Sequence, residues 1–323
     1  MFIFWKLGFK DSMSVNIFAL SVTDFITTFL QTVVCLCYLT SKFYPDSNVD
    51  FWAIGNFAVQ WMENAAYLIS CWITAVISIE RCFCVVFPFK VKQIFTRFRS
   101  FIALLTIYVL HIGLHVLVYA VHKMEWMQIF VHSPAGSNVT VPPKRRFTAV
   151  VGEETARIEE IFNIIVSLAL SDVSFIIVIA CTAWMIHKLH ATATIRQVLS
   201  SRLPEGDSQQ SQLSSKERRL VKVALALATA LTACSLPRVV VVIVQSSLPQ
   251  STISSGQSGI VAPNERYVST MWAVAYIFTI FGSSITIFVY LVLSNNYRTR
   301  FIRACNRIVR CTGYREQLLQ QIS

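Results

Sequence analysis

Long stretches without charged side chains constrain the fold of this chain most. Ser100–His122 and Tyr267–Tyr297 contain no Asp, Glu, Lys or Arg. A bilayer core about 30 Å thick needs roughly 20 apolar residues per helix, and both stretches reach that length. Spans are predicted near residues 13–39, 59–85, 100–121, 161–187, 220–246 and 269–293. Backbone amides in lipid need internal partners, so the sequence predicts an all-α membrane protein, a bundle of six transmembrane helices. After the last span, Tyr297 and Phe301 with Arg298, Arg300 and Arg303 predict a short amphipathic C-terminal helix along the membrane.

The basic residues predict the orientation of these spans. The net charge is +11, but the Lys and Arg residues are concentrated in four stretches that alternate with the other loops, at residues 6–10, 81–99, 188–222 and 298–315. Basic loops stay in the cytoplasm, so both termini are expected there. This distribution explains the charge without a nucleic-acid partner. The sequon at Asn138 falls in loop 122–160, which is then extracellular, and predicts glycosylation.

Ionisable residues lie at two places in the predicted spans where burying a charge costs free energy. Glu80 and Arg81 end the second predicted span, followed by Cys82, Pro88 and Phe89. Ionisable side chains at such positions are functional candidates by default. Asp24 lies in the middle of the first predicted span, within the sequence Leu-Ser-Val-Thr-Asp, and the same reasoning applies to it.

Two motifs lie in the later spans. Cys234-Ser235-Leu236-Pro237 places a proline inside the fifth predicted span, where the missing N–H bends a helix. Tyr290 ends the sequence Thr-Ile-Phe-Val-Tyr in the sixth. In this order and with this sidedness, the motifs resemble those of rhodopsin-like (class A) G-protein-coupled receptors. The nearest likeness is to divergent invertebrate receptors, such as molluscan chemosensory and orphan peptide-type receptors.

The resemblance implies a function. A member of this family is a multi-pass plasma-membrane receptor, not an enzyme, which transduces binding of an extracellular small molecule or peptide to a heterotrimeric G protein. The implied coupling and switch residues are Glu80, Arg81, Phe89, Glu217 and Tyr290. At rest Arg81 would pair with Glu80, and Glu217 would lock onto Arg81. No cofactor is implied beyond a possible sodium ion at Asp24 and Ser70.

The presumed ligand residues follow from their positions relative to Arg81 and Pro237. Glu63 lies 18 residues before Arg81, about five turns toward the outside. Together the predicted ligand residues are Glu63, Tyr67, Arg238, Trp272 and Tyr276. An acid and a base suit a zwitterion, such as an amino acid or a short peptide. The alternative is that Glu63 and Arg238 simply pair with each other.

The chain also departs from the family pattern. Asn56 stands where the family has a disulfide cysteine, and residues 122–160 contain no cysteine. Ser235, in the fifth predicted span, replaces the tryptophan that the family usually has in its sixth helix. The first helix is expected to be missing except for a few residues before Lys6. The receptor domain is assigned to residues 1–311 and a short cytoplasmic tail to 312–323, with Cys305 and Cys311 as palmitoylation candidates.

Two other kinds of protein compete with a signalling receptor. A six-helix transporter or channel subunit fits the even number of spans, although no two halves resemble each other and no arginine ladder is present. A non-signalling truncated receptor fits the departures above. The spacing of His111 and His115 suits a metal pair, but packing is the expected role because no further ligand lies nearby in the sequence.

Overall fold

The computed structural model describes most of the predicted membrane region. The described residues are 12–87, 90–121, 123–129, 144–150, 153–162, 165–166, 169–200, 229–230, 232–241, 243–244, 270–282, 284–285 and 299. The helices are α1 (Ser12–Phe43), α2 (Phe51–Val86), α3 (Val91–Ile94), α4 (Arg97–Val121), α5 (Glu153–Phe162), α6 (Leu170–Ser200), α7 (Thr232–Val241) and α8 (Thr270–Gly282). The strands are β1 (Lys123–Ile129) and β2 (Lys144–Val150).

Helix α1 buries several polar side chains and exposes many large apolar ones. The buried positions recur every three or four residues and are Asn16, Leu20, Thr23, Asp24, Thr27, Gln31 and Val34. The exposed face carries Phe25, Phe29, Leu36 and Leu39. A helix in water shows the opposite arrangement. An apolar exterior around buried polar groups is expected where lipid is the solvent.

Helix α2 begins at an acidic cap and contains an early irregular turn. The Ala53 backbone N–H donates to Asp50 Oδ1 at 3.1 Å, which satisfies one of the donors that every helix leaves open in its first turn. Residues Ile54–Val59 then form a π-helical segment before regular α-helix resumes at Gln60. Gly55 lies in this segment, and a Cβ atom added there would come within 3.0 Å of Cys37 Cβ on α1.

Helix α4 shows the same division between a buried and an exposed face. Its buried positions also follow the helical period: Ser100, Leu104, Ile107, His111, His115 and Val118. The opposite face exposes Phe98, Leu105, Val109, Ile112 and Val116, among others. This helix is therefore built to pack on one side and to meet lipid on the other.

The loop after α4 forms an antiparallel hairpin, which the sequence analysis did not predict. Lys123 pairs with Val150 at one end of the two strands, and Ile129 pairs with Lys144 at the other. The Trp126 and Phe147 rings pack on one face with their centroids 5.5 Å apart. The strands belong to loop 122–160, which the distribution of basic residues predicts only to be extracellular.

The chain divides into two compact units. The first comprises the described residues within Met1–Ala19, Thr74–Phe101 and Phe175–Ser323, and the second those within Leu20–Ile73 and Ile102–Ser174. In the second unit Tyr67, Leu68 and Val166 form a buried apolar cluster, packed against Cys71, Leu114, Phe162 and Leu170. In the first, Ala75 packs against Val178 and Ile177.

The predicted all-α membrane fold is confirmed, with corrections at the ends of the spans. Among the described residues, four helices are long and apolar enough to cross a membrane, within α1, α2, α4 and α6, and the shorter α7 and α8 lie inside the remaining two predicted spans. Helix α2 begins at Phe51, eight residues before the predicted start at 59. The predicted span 161–187 becomes α6, which starts at Leu170 and continues to Ser200. Residues 188–200 include charged side chains and extend beyond the length that a bilayer requires. The apolar run therefore did not predict this part of the helix.

Candidate functional site

A buried acidic–basic pair ends helix α2. Glu80 and Arg81 are both buried, 5% and 9% exposed. Asn16 of α1 is fully buried, and its Nδ2 donates to Glu80 Oε2 at 2.9 Å. A hydrogen bond to a carboxylate is stronger than one between neutral groups. Asn16 therefore fixes the Glu80 carboxylate from a second helix.

Arg81 is only partly satisfied by hydrogen bonds. Its Nε atom is buried and has no hydrogen-bond partner among the described residues, and neither has the Oδ1 atom of Asn16. An orphaned buried polar group costs about 1–3 kcal/mol, and more for a charged one. The buried polar groups at the end of α2 therefore lower the stability of the fold, and packing alone does not require them.

The residue after Arg81 contacts a second helix through sulfur. Cys82 is buried, and its thiol shares a hydrogen bond with the Cys181 thiol of α6. Both cysteines are free thiols. Just beyond them, Phe83 packs against Phe87 and Phe95, at centroid distances of 5.8 and 5.7 Å. These contacts fix the chain as it leaves α2 toward α3.

The structure brings Asp24 and Ser70 together, as the motif resemblance implied. Ser70 Oγ donates to Asp24 Oδ1 at 2.6 Å, and Asp24 is buried. One residue away, the hydroxyls of Thr23 and Tyr108 lie 2.6 Å apart. The carboxylate thus lies beside polar contacts from α1 to both α2 and α4. Carboxylate and hydroxyl oxygens are the kind of ligand a hard cation prefers.

Glu63 and Tyr67 belong to the second unit. Glu63 is fully buried, and Tyr67 is buried in the apolar cluster that contains Leu68. Next to Glu63, Asn64 Nδ2 lies 3.5 Å from His115 Nε2. His115 also packs edge-on against Phe162, with ring centroids 5.1 Å apart.

Arg238, Trp272 and Tyr276 belong to the first unit. The Arg238 guanidinium carbon lies 5.9 Å from the centroid of the Trp272 ring, in cation–π range. The Trp272 ring packs in turn on Tyr276 at 5.4 Å. Arg238 is buried, so this charge is held in a fixed place on α7.

Several predicted site residues lie outside the described residues. They are Phe89, Glu217, Tyr290, Asn138, Cys305 and Cys311. The boundary between receptor domain and tail at 311/312 lies outside them as well.

Sequence reasoning missed the partners of the predicted residues. Asn16, Thr23, Tyr108, Asn64 and His115 each contact a predicted site residue or its neighbour. The signal was present for Asn16 and Thr23, which share one face of α1 with Asp24 at helical spacing. For the others, only packing between helices brings the groups together.

The fold and these buried polar groups define a helical multi-span membrane protein whose interior carries ionisable groups. The sequence model of the seven-transmembrane receptors of the rhodopsin family matches residues 1–261. The chain belongs to that family.

Two known proteins illustrate the relationship. The Mas-related G-protein coupled receptor member X2 of Gorilla gorilla gorilla is 31% identical over 119 residues, which is 36% of this chain and 35% of that protein. The chain thus matches only about a third of that relative's length. The crystal structure of squid rhodopsin superposes with a TM-score of 0.60 and 15% identity, covering 94% of this chain and 73% of that one. At that identity it supports the fold alone.

Proposed function

We propose that this receptor transduces the binding of an extracellular small molecule or peptide to a heterotrimeric G protein at the plasma membrane. The observation that carries the proposal is the buried Glu80–Arg81 pair, with Glu80 fixed by Asn16. Burying two such charges beside orphaned polar atoms costs stability, so a functional reason for keeping them is expected. Family membership makes a switch the best reason and counts against a transporter or channel.

The proposed switch is a change in what Arg81 contacts. At rest Arg81 stays buried at the end of α2, and Glu217 is proposed to hold it through a charge-assisted pair. Activation moves the cytoplasmic end of the helix that contains Pro237 outward and frees Arg81 for the G protein. Phe89 and Tyr290 are proposed to contribute to the same surface. Glu217→Ala should then raise basal signalling, and unchanged basal signalling would count against this lock.

Arg81→Ala tests the proposal most simply. In membranes carrying the receptor, we expect basal GTPγS exchange on at least one Gα class and expect Arg81→Ala to abolish it. The matched control is Arg97→Ala, which removes an exposed arginine beyond the same helix end and should leave exchange unchanged. Surface labelling must show equal amounts of each protein. Exchange that survives Arg81→Ala would contradict the proposed switch, and no exchange by the unmodified receptor would favour the non-signalling alternative.

We propose a zwitterionic ligand, such as an amino acid or a short peptide. The Glu63 carboxylate would bind an ammonium group and the Arg238 guanidinium a carboxylate, with Tyr67, Trp272 and Tyr276 as aromatic neighbours. The burial of both charges supports this chemistry. The test is to measure exchange with a panel of amino acids and short peptides. Glu63→Gln and Arg238→Gln should abolish the response to an active compound, while a retained response would exclude those residues.

A sodium ion at Asp24 is a further proposal, supported by the 2.6 Å contact between Asp24 and Ser70. A monovalent cation would stabilise the folded receptor by binding there. We expect sodium chloride to raise the unfolding temperature above that in choline chloride, and expect Asp24→Asn and Ser70→Ala to remove the difference. If sodium raised the unfolding temperature of both variants as much as that of the unmodified receptor, this site would be excluded.

The proposed modifications are tested by mass. Asn138 should carry a glycan that a glycosidase removes and that Asn138→Gln prevents. Cys305 and Cys311 should carry thioester-linked palmitate, which hydroxylamine releases. Unchanged masses after either treatment would exclude the corresponding modification.

A further inference from the structure

Asp50, just before helix α2, makes three contacts through its carboxylate. Oδ1 accepts the Ala53 backbone N–H at 3.1 Å, and Oδ2 accepts the Thr148 hydroxyl at 3.1 Å. Arg146 Nη2 lies 3.9 Å from Oδ1. One carboxylate therefore caps α2 and also contacts two residues of strand β2. All of these residues belong to the second unit.

The backbone around Asp50 continues the same connection. The Asp50 N–H donates to the Phe147 carbonyl, and the Phe147 N–H donates to the Asn48 carbonyl, each at 2.9 Å. Val49 thereby forms a parallel bridge with Phe147. The segment before α2 thus pairs with β2 at Phe147, on the edge opposite β1, and β2 is paired on both sides at that residue.

No cysteine is available to make this connection covalent. Residues 122–160, which contain the hairpin, have none. Asn56, on α2 of this chain, stands where the family has a disulfide cysteine on the helix that the family numbers third. A disulfide between these segments would restrict the loop in the unfolded chain as well as in the folded one. Hydrogen bonds act only in the folded state, so here the loop is held by the Asp50 carboxylate together with the backbone pairing at Phe147.

We infer that Asp50 is the positioning residue that anchors the loop hairpin (β1 and β2) to the start of α2, in place of a disulfide. The anchor is polar and partly accessible, since the Arg146 and Asp50 side chains are 27% and 18% exposed. Its strength therefore comes from the two direct hydrogen bonds and the paired backbone more than from the ion pair. The inference does not depend on coupling to a G protein.

Limited proteolysis of the purified receptor in detergent tests the anchor. Trypsin cuts after Arg145 and Arg146, but a strand paired on both sides must first leave the sheet. We expect cuts in β2 to be roughly tenfold faster in Asp50→Ala, equal to about 1.4 kcal/mol in the opening equilibrium. The matched control is Asn48→Ala, two residues earlier, which removes an exposed polar side chain, keeps the backbone carbonyl that accepts from Phe147, and should cleave like the unmodified protein.

Two further results decide the matter if Asp50→Ala gives no folded protein. Thr148→Val keeps the shape of the side chain and removes one hydrogen bond to Asp50, so cleavage should be several-fold faster. A reducing agent should leave cleavage of the unmodified receptor unchanged. Unchanged cleavage in Thr148→Val or in a folded Asp50→Ala, or faster cleavage on reduction, would overturn the inference.

Discussion

At the scale of single residues, Asn16 has the most direct influence on the proposed switch. Its amide donates to Glu80 from a fully buried position. We expect Asn16→Ala to lower stability by about 1–2 kcal/mol, since a buried carboxylate loses a donor. We also expect higher basal exchange, because Glu80 is no longer fixed.

Thr32→Ala is the matched control for Asn16→Ala. Thr32 lies on the exposed face of the same helix, and its hydroxyl donates only within α1, to the Thr28 carbonyl at 2.8 Å. Thermal unfolding in detergent and GTPγS exchange should both be unchanged there. Equal effects of the two substitutions would show that Asn16 acts through helix stability alone.

Tyr108 offers a second test at this scale. Its hydroxyl lies 2.6 Å from that of Thr23 and links α4 to α1. Hydrogen bonds between membrane helices contribute about 0.6 kcal/mol on average and up to about 1.7. Tyr108→Phe should lower the unfolding temperature modestly, whereas Tyr38→Phe, at an exposed tyrosine of α1, should not. No difference between the two would mean that the Thr23–Tyr108 bond adds no stability.

At the scale of elements, the close approach of α1 and α2 depends on Gly55. An added Cβ would lie 3.0 Å from Cys37 Cβ, so the helices must separate slightly to accept it. We expect Gly55→Ala to destabilise the receptor by about 1–3 kcal/mol.

Gly113 is the control, since nothing lies within 4 Å of an added Cβ there. Gly113→Ala should be neutral or up to about 1 kcal/mol stabilising, because alanine favours a helix. Equal unfolding temperatures for the two variants would contradict this view of the contact.

The elements also show how far the sequence could be interpreted. Apolar length located α1 and α4, because lipid demands it, and only Asp24 interrupts the predicted span 13–39. The start of α2 was predicted at 59, whereas the helix begins at Phe51; Glu63 is fully buried, so its charge does not interrupt the span. The hairpin was missed because Lys123–Ile129 and Lys144–Val150 become strands only by pairing with each other, across a long sequence separation.

The same limit applies to the site. Motif spacing paired Asp24 with Ser70, and the two side chains are in contact. It did not reveal Asn16 as the partner of Glu80, or Asp50 as the partner of Thr148. These pairs join distant parts of the chain through side chains with no motif of their own.

At the scale of the whole molecule, the chain is a rhodopsin-family receptor whose described helices expose apolar side chains and bury polar groups as well as apolar ones. The polar contacts described above cluster at the end of α2, around Asp24 and at the hairpin anchor. In lipid, burial of apolar surface does not drive helices together, so specific polar contacts and close packing must do more of the work. Both the stability of the receptor and its proposed signalling therefore depend on a small number of buried side chains.

The most direct test of the central claim is physical association with a G protein. The purified receptor is mixed with heterotrimers of each Gα class, nucleotide is removed enzymatically, and complex formation is followed by size-exclusion chromatography, with and without the amino-acid and peptide panel. The account predicts a complex with at least one class that dissociates on addition of GTPγS and does not form with Arg81→Ala. Absence of a complex with every class, for a receptor that is folded by thermal unfolding, would contradict it.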